Sequence, residues 1–247
     1  MKTVLINCSP KKRFCASAYF LFLQRLFAGG KKVNEKLRTP ADHARILEQL
    51  HDAQAVVFGL PLYVDGVPSH VLRFMEEMET FCRKNGLKLS VYCIANNGFI
   101  EGKQNEPLMQ VFEHFCTRAG LVWGGGVGIG GGVMLNVSRI LFLADIALLV
   151  LNTVLSAVNT GNFFPKEAWL GFAENAVLLL YFNLGVLFYL AGMGRAIRKG
   201  ALFGKKYTRI LIPSFIFILF ADIFFIIISV LEGGIFRGWL ARKKSVI

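Results

Sequence analysis

The stretch FGLPLYVDGVPSHVLRFMEE, residues 58–77, decides how the rest of the chain is read. An apolar run reaches Pro61-Leu62-Tyr63, crosses Asp65-Gly66, and enters a helical pattern at Pro68-Ser69. A buried strand feeding a helix through one connector is half of a βαβ unit. Such connectors are usually short and polar, yet this tip carries Pro61, Leu62, Tyr63 and Val64. An apolar tip beyond a strand suits the cover of a flat apolar ligand, with Gly66 permitting the bend.

Outward from this stretch, the same alternation fills residues 1–136. TVLIN (3–7), AVVFGL (55–60), KLSVYCIA (88–95) and LVWGGGVGI (121–129) read as short buried strands. Between them fall helical patterns at 16–30, 40–53, 69–86 and 105–120. A weaker strand is expected within 31–38, between the first two helices. The expectation is an α/β domain with a five-stranded parallel sheet, strand order 2-1-3-4-5, and helices on both faces.

In such a sheet, ligands bind beyond the carboxyl ends of the strands, where strand order reverses. The loops after strands 1, 3 and 4 converge there: NCSPKKRFCASA, PLYVDGVPS and NNGFIEGKQNE. The first has hydroxyls, backbone N–H groups and three successive cations just before a helix start, a combination that suits a phosphate. The other two bring Pro61, Leu62, Tyr63, Asn96, Asn97, Gly98 and Phe99, apolar planes with a few amides. A heteroaromatic ring with polar edges would fit them.

Together the three loops resemble those of the flavodoxin-like NAD(P)H-dependent FMN reductase and quinone reductase family. Asn7, Ser9, Pro10, Lys11 and Ser17 match its first loop, and Pro61, Leu62, Tyr63, Pro68 and Ser69 its second. The chain departs from the family pattern at Cys8 and at Cys15-Ala16. The resemblance covers about half the chain and implies an FMN-binding domain with NADH or NADPH as reductant. It implies that Ser9, Pro10, Lys11 and Ser17 hold the phosphate. Pro61, Leu62, Tyr63, Val64 and Asp65 would line one edge of the ring, and Asn96, Asn97, Gly98 and Phe99 another. In this family the flavin carries the chemistry, so no catalytic dyad is expected. Family members are often homodimers. A tethered electron carrier and a cofactor-free interaction module are the alternative readings.

The GVGIGG run (126–131) fits a dinucleotide pattern but lacks the acidic residue about 20 positions on, and reads as the flexible end of the last strand. Five cysteines, Cys8, Cys15, Cys82, Cys93 and Cys116, form no CxxC pair, and no metal site is expected. They read as reduced thiols, with Cys8 or Cys15 the candidates for a redox-sensitive one. His70 reads as a helix-surface group and Glu101 as a solvated loop carboxylate.

Hydrophobic residues make up 54% of the 247, too many for an ordinary soluble protein. The excess lies in residues 137–247, expected to be a helical membrane region with apolar segments at 140–158, 175–194 and 210–231. The net charge of +12 comes largely from cations flanking these segments, which favours a lipid bilayer over nucleic acid as partner. The connector 195–209 carries six cations and no acids, so it is expected on the cytoplasmic side. The N-terminal apolar run is too short for a secretion signal, so the first domain is also expected in the cytoplasm of a multi-pass cell-membrane protein. The tail 237–247 fits that orientation poorly, unless 210–231 is re-entrant. Asp145 and Asp222, inside apolar runs, are either proton-handling groups or carboxyls hydrogen-bonded in a helix contact. The electron acceptor is expected to be a quinone or a redox protein.

Overall fold

Parallel strands covered on both faces are buried along their whole length, and the first strand follows this rule. In the computed structural model, which describes residues 1–12 and 14–231, every residue of β1 (Lys2–Asn7) is buried. There follow α1 (Ala16–Phe27), β2 (Lys31–Lys36), α2 (His43–Leu50), β3 (Ala55–Pro61), α3 (Ser69–Lys84) and β4 (Ser90–Asn96). The chain continues as α4 (Glu106–Ala119), β5 (Val122–Gly130), α5 (Gly132–Thr160), α6 (Lys166–Lys199), β6 (Gly204–Arg209) and α7 (Ser214–Leu231).

The sheet has six strands rather than five, in the order β2-β1-β3-β4-β5-β6, and all neighbours are parallel. The first five keep the expected order. The sixth arises within the cationic connector 195–209, where GKKYTR pairs with β5 from Gly125 to Gly130. Both edge strands, KKVNEK and GKKYTR, are rich in Lys and partly exposed, which discourages edge-to-edge association. Lys205 ties β6 to α4 through ion pairs of 3.0 Å to Glu106 and 2.9 Å to Glu113, and the Tyr207 hydroxyl also bonds Glu106.

One face of the sheet is covered by α2, α3 and α4. Ile46, Phe74, Met78 and Phe112 are buried there against Val4, Ile6, Phe58 and Cys93. The opposite face carries α1 and the C-terminal half of α6, whose Asn183, Val186, Leu190, Met193 and Ile197 are buried. Close approach needs small residues. A Cβ on Gly194 would lie 2.6 Å from the Phe27 Cβ and 2.7 Å from its carbonyl oxygen. The Tyr19 hydroxyl meets Asn183 Oδ1 at 3.0 Å, and Arg198 bonds the Phe27 carbonyl at the far end of α1. The sheet-covering segment is therefore residues 183–197 of α6, which overlap the apolar segment expected at 175–194.

α5 does not fold back over the sheet. Beyond Asn136, Leu149 is its one buried residue, and α6 is its main contact. Because residues 183–199 of α6 run along α1, residues 166–182 lie beyond the carboxyl end of the sheet. With α5 they form a hairpin of apolar helices rising from that end. Contacts group Met1–Leu211 into one unit, rather than dividing at residue 136, because α5, α6 and β6 return to the sheet. The second unit, Ile212–Ile247, contains α7, an 18-residue apolar helix on which Asp222 is exposed. α5, α6 and α7 are each long and apolar enough to cross a membrane. The tail 237–247 lies outside the described residues, as does Arg13.

Candidate functional site

The loop after β1 is held from outside. Arg38, just past β2, donates to the carbonyls of Ser9 (3.4 Å), Lys11 (2.8 Å) and Lys12 (3.3 Å). Asp42 fixes this latch by accepting the backbone N–H groups of Arg38 and Thr39. Burial alone would raise the Asp42 carboxyl, but these hydrogen bonds hold it below its usual range. From the other side, His70 Nε2 lies 3.0 Å from the Cys8 carbonyl, which assigns the proton to that nitrogen. His70 is thus a brace for the loop, not a surface group.

With several of its carbonyls drawn outward, the loop delivers the chain to the start of α1. Cys15 occupies the N-cap and makes no side-chain capping bond, so the first-turn N–H groups of α1 are left for a ligand. Ser9 Oγ accepts from the Lys11 N–H (3.4 Å), and Ser17 Oγ accepts from Asn96 Nδ2 (3.0 Å). Each hydroxyl keeps its own proton for donation.

The second loop turns by a different device from the one expected. Tyr63 and Gly66 exchange backbone hydrogen bonds of 3.3 and 3.0 Å, closing a two-residue turn. Val64 (φ 46°) and Asp65 (φ 56°) both adopt the left-handed region, and Gly66 does not. The bend therefore belongs to Val64 and Asp65. Burial raises the Tyr63 hydroxyl above its usual value, so it remains an O–H donor at neutral pH.

Loop three is joined to loop two by the Leu62 N–H, which donates to the Asn96 carbonyl at 2.8 Å. Asn96 Nδ2 also bonds the Leu60 carbonyl (2.9 Å), so this side chain clamps β3, β4 and α1 together. The GVGIGG run backs loop three rather than fraying. Asn97 N–H donates to Ile129 O (3.1 Å), and Gly132 N–H to Asn97 O (2.8 Å). A Cβ on Gly128 would stand 2.7 Å from the Gly102 carbonyl, so the glycines admit the 100–105 segment against β5.

These loops enclose one cleft of about 160 Å³. Of the residues named from sequence, Ser9, Lys11, Ser17, Pro61, Leu62, Tyr63, Asn96, Asn97 and Gly98 line it. Pro10, Val64, Asp65 and Phe99 do not. Val64 is fully exposed at its turn, and Phe99 stands exposed at the rim. The wall also includes Phe14, Cys15 and Ala16 of the first loop, given no binding role from sequence, and Val133 and Asn136, which sequence reasoning missed. Asn136 Nδ2 donates to the Phe14 carbonyl (2.7 Å) and holds that residue at φ 49°. Extending the carboxyl-end rule to strands 2 and 5 would have found Arg38 and Asn136.

Two buried acceptors in the wall, Asn97 Oδ1 and Asn136 Oδ1, have no hydrogen-bond partner among the described residues. All five cysteines are free and buried. Burial pushes the Cys8 thiol far above its ordinary value, which removes it as a reactive thiolate. Cys15 accepts from Asn7 Nδ2 at 3.6 Å. Among the described residues no cluster of His, Cys, Asp or Glu could hold a metal ion.

No protein-family model and no curated protein matches the chain. Among solved structures, the Trp repressor binding protein from Bacillus subtilis is 18% identical, with TM-score 0.44 over 51% of this chain and 84% of that one. An NAD(P)H:quinone oxidoreductase from Methanothermobacter marburgensis is 14% identical, with TM-score 0.43 over 56% and 92%. An azoreductase from Bacillus anthracis str. Sterne is 15% identical, with TM-score 0.40 over 72% and 99%. At such identities and scores the likeness adds nothing to the functional argument, which rests on the site.

Proposed function

We propose that the protein is a membrane-anchored, FMN-dependent NAD(P)H oxidoreductase that passes reducing equivalents to a lipid-soluble acceptor of the quinone class. The observation that carries this reading is the single cleft at the carboxyl end of the sheet, with an anion end and a ring end. Uncapped N–H groups of α1, the Ser9 and Ser17 hydroxyls and Lys11 suit a phosphate. Orphaned Asn97 Oδ1 and Asn136 Oδ1 suit ring or hydroxyl donors, so the residues present fit FMN.

The enclosed volume of about 160 Å³ lies below the ~300–1,000 Å³ of ordinary small-molecule pockets. The enclosed part would then hold the polar end, leaving the ring to the open rim that Tyr63 borders. When bound, the flavin takes hydride from the nicotinamide and supplies electrons to the acceptor. The protein's part is to fix the phosphate, hold Tyr63 as a neutral donor and keep Pro61 and Leu62 against the ring.

The anchor is the α5–α6 hairpin, which leaves from the same end of the sheet as the cleft. This supports an acceptor dissolved in the bilayer. The cations of 195–209 belong to the end of α6 and to β6, so the positive-inside rule favours the sheet domain on the cytoplasmic side.

Full-length protein extracted in detergent is expected to be yellow and to bleach within seconds on mixing with NADPH. The double variant Lys11→Ala/Ser17→Ala should lose at least tenfold in FMN affinity. A colourless protein that takes up no added FMN defeats the proposal. A flavoprotein that NADH and NADPH fail to reduce points instead to an electron carrier.

A further inference from the structure

A second cleft lies between the two helices of the hairpin, with a volume of about 420 Å³. Phe142 and Leu148 of α5 and Leu178 and Phe182 of α6 give it apolar walls. Its polar groups include Asp145 and Asn175, joined by a hydrogen bond of 3.2 Å from Asn175 Nδ2 to Asp145 Oδ2. Phe142 is steadied by stacking on Phe172 at 5.3 Å.

The surroundings are what make this pair unusual. Leu141, Leu148, Val177 and Leu178 are 48–68% exposed, so the cleft opens to whatever medium bathes the hairpin. In a bilayer that medium offers no hydrogen bonds, and a carboxyl at the centre of a spanning helix costs roughly 2.5–3.5 kcal/mol. A carboxyl has two oxygens, and the Asn175 amide satisfies only one of them. The pair can donate through the Asn175 amide and accept through the carboxylate. It can therefore bond both a ring carbonyl and a ring hydroxyl.

We infer that the α5–α6 cleft is a binding site for a flat, uncharged ring bearing carbonyl or hydroxyl oxygens, of the quinone and hydroquinone class, entering from the lipid. Its volume lies within the ~300–1,000 Å³ of small-molecule sites, and its aromatic walls suit a planar guest. The two clefts are distinct, but α5 carries a wall of each. Val133 and Asn136 line the first, and Ser138 begins the second. Asn136 and Asp145 are about 14 Å apart along the helix axis. The site thus holds the acceptor of the proposed oxidoreductase beside the flavin cleft. It rests on that reading for the identity of its guest.

The test is photolabelling of the full-length protein in lipid nanodiscs with a decyl azido-benzoquinone, mapped by mass spectrometry, which needs neither flavin nor nicotinamide. Label is expected on residues 141–148 and 175–182, cut at least tenfold by excess decylbenzoquinone. Asp145→Leu should lower labelling at least tenfold. Ala144→Trp, which fills the cleft and leaves the polar pair in place, should do the same if Asp145→Leu disturbs the hairpin. Label confined to residues 61–65 and 96–99 overturns the inference, as does label on lipid-facing residues that decylbenzoquinone does not displace. Labelling that survives both variants also overturns it. A protein without FMN that still labels the cleft separates this site from the function proposed above.

Discussion

The sheet and the hairpin are built from the same apolar residue types, used in opposite ways. Phe58 in β3 is fully buried, held between Phe74 and Phe112 with ring centroids 6.3 and 5.1 Å away. In the hairpin Leu151 is 51% exposed and Val177 68% exposed. Burial of apolar surface stabilises a fold at about 25 cal/mol per Å², but only when the alternative is water. The hairpin forgoes that gain over most of its length, as suits two helices each long and apolar enough to cross a membrane. The two regions should therefore answer substitution differently.

The largest effect is expected in the sheet. Phe58→Ala leaves a cavity in a closed core and should cost about 3–5 kcal/mol, read from denaturant unfolding of the extracted protein. Next comes Leu151→Arg. In water a surface change of this kind is nearly neutral, within about 0.5 kcal/mol. Mid-bilayer it costs about 2.5–3.5 kcal/mol, so the membrane-inserted fraction after alkaline extraction should fall several-fold. An unchanged fraction would erase the contrast between the two regions.

The seam where α6 changes from exposed to sheet-covering should be sensitive to volume. Gly194→Val sets new methyl groups against the Phe27 backbone and should cost about 1–3 kcal/mol in thermal unfolding. The smallest effect is electrostatic. Burial alone would raise the Glu106 carboxyl, but hydrogen bonds from Lys205 and Gln110 hold it below its usual value. A lowered carboxyl stabilises the fold fully above the unfolded value of about 4.3, and that contribution is lost as pH falls through the folded value. Glu106→Gln should flatten the acid side of the Tm profile by the equivalent of under about 1 kcal/mol, as suits a pair still partly open to solvent.

The chain announces its first five strands because four are unbroken apolar runs, and the fifth is forced by the two helices that flank it. β6 gave no such signal. GKKYTR has neither apolar continuity nor alternation, and it pairs only because glycines along β5 admit its backbone. The divided use of α6 was equally hidden, since the buried Val186 and Leu190 are the same residue types as the exposed Val177 and Leu178. Most of the cleft wall was legible because turn residues follow each strand. Arg38 and Asn136 were not, because they reach the first loop from 29 and 122 residues away. The bend at Val64-Asp65 was assigned to the neighbouring glycine because left-handed geometry at a β-branched residue defies the usual preference.

Strand β6 is synthesised only after the whole hairpin. The sheet cannot seal its β5 edge until both hairpin helices have been made and the second has returned along α1. Completion of the sheet thus waits on the return of α6. A chain whose α6 fails to return keeps an open, glycine-rich margin, the kind of lesion that chaperones and proteases detect.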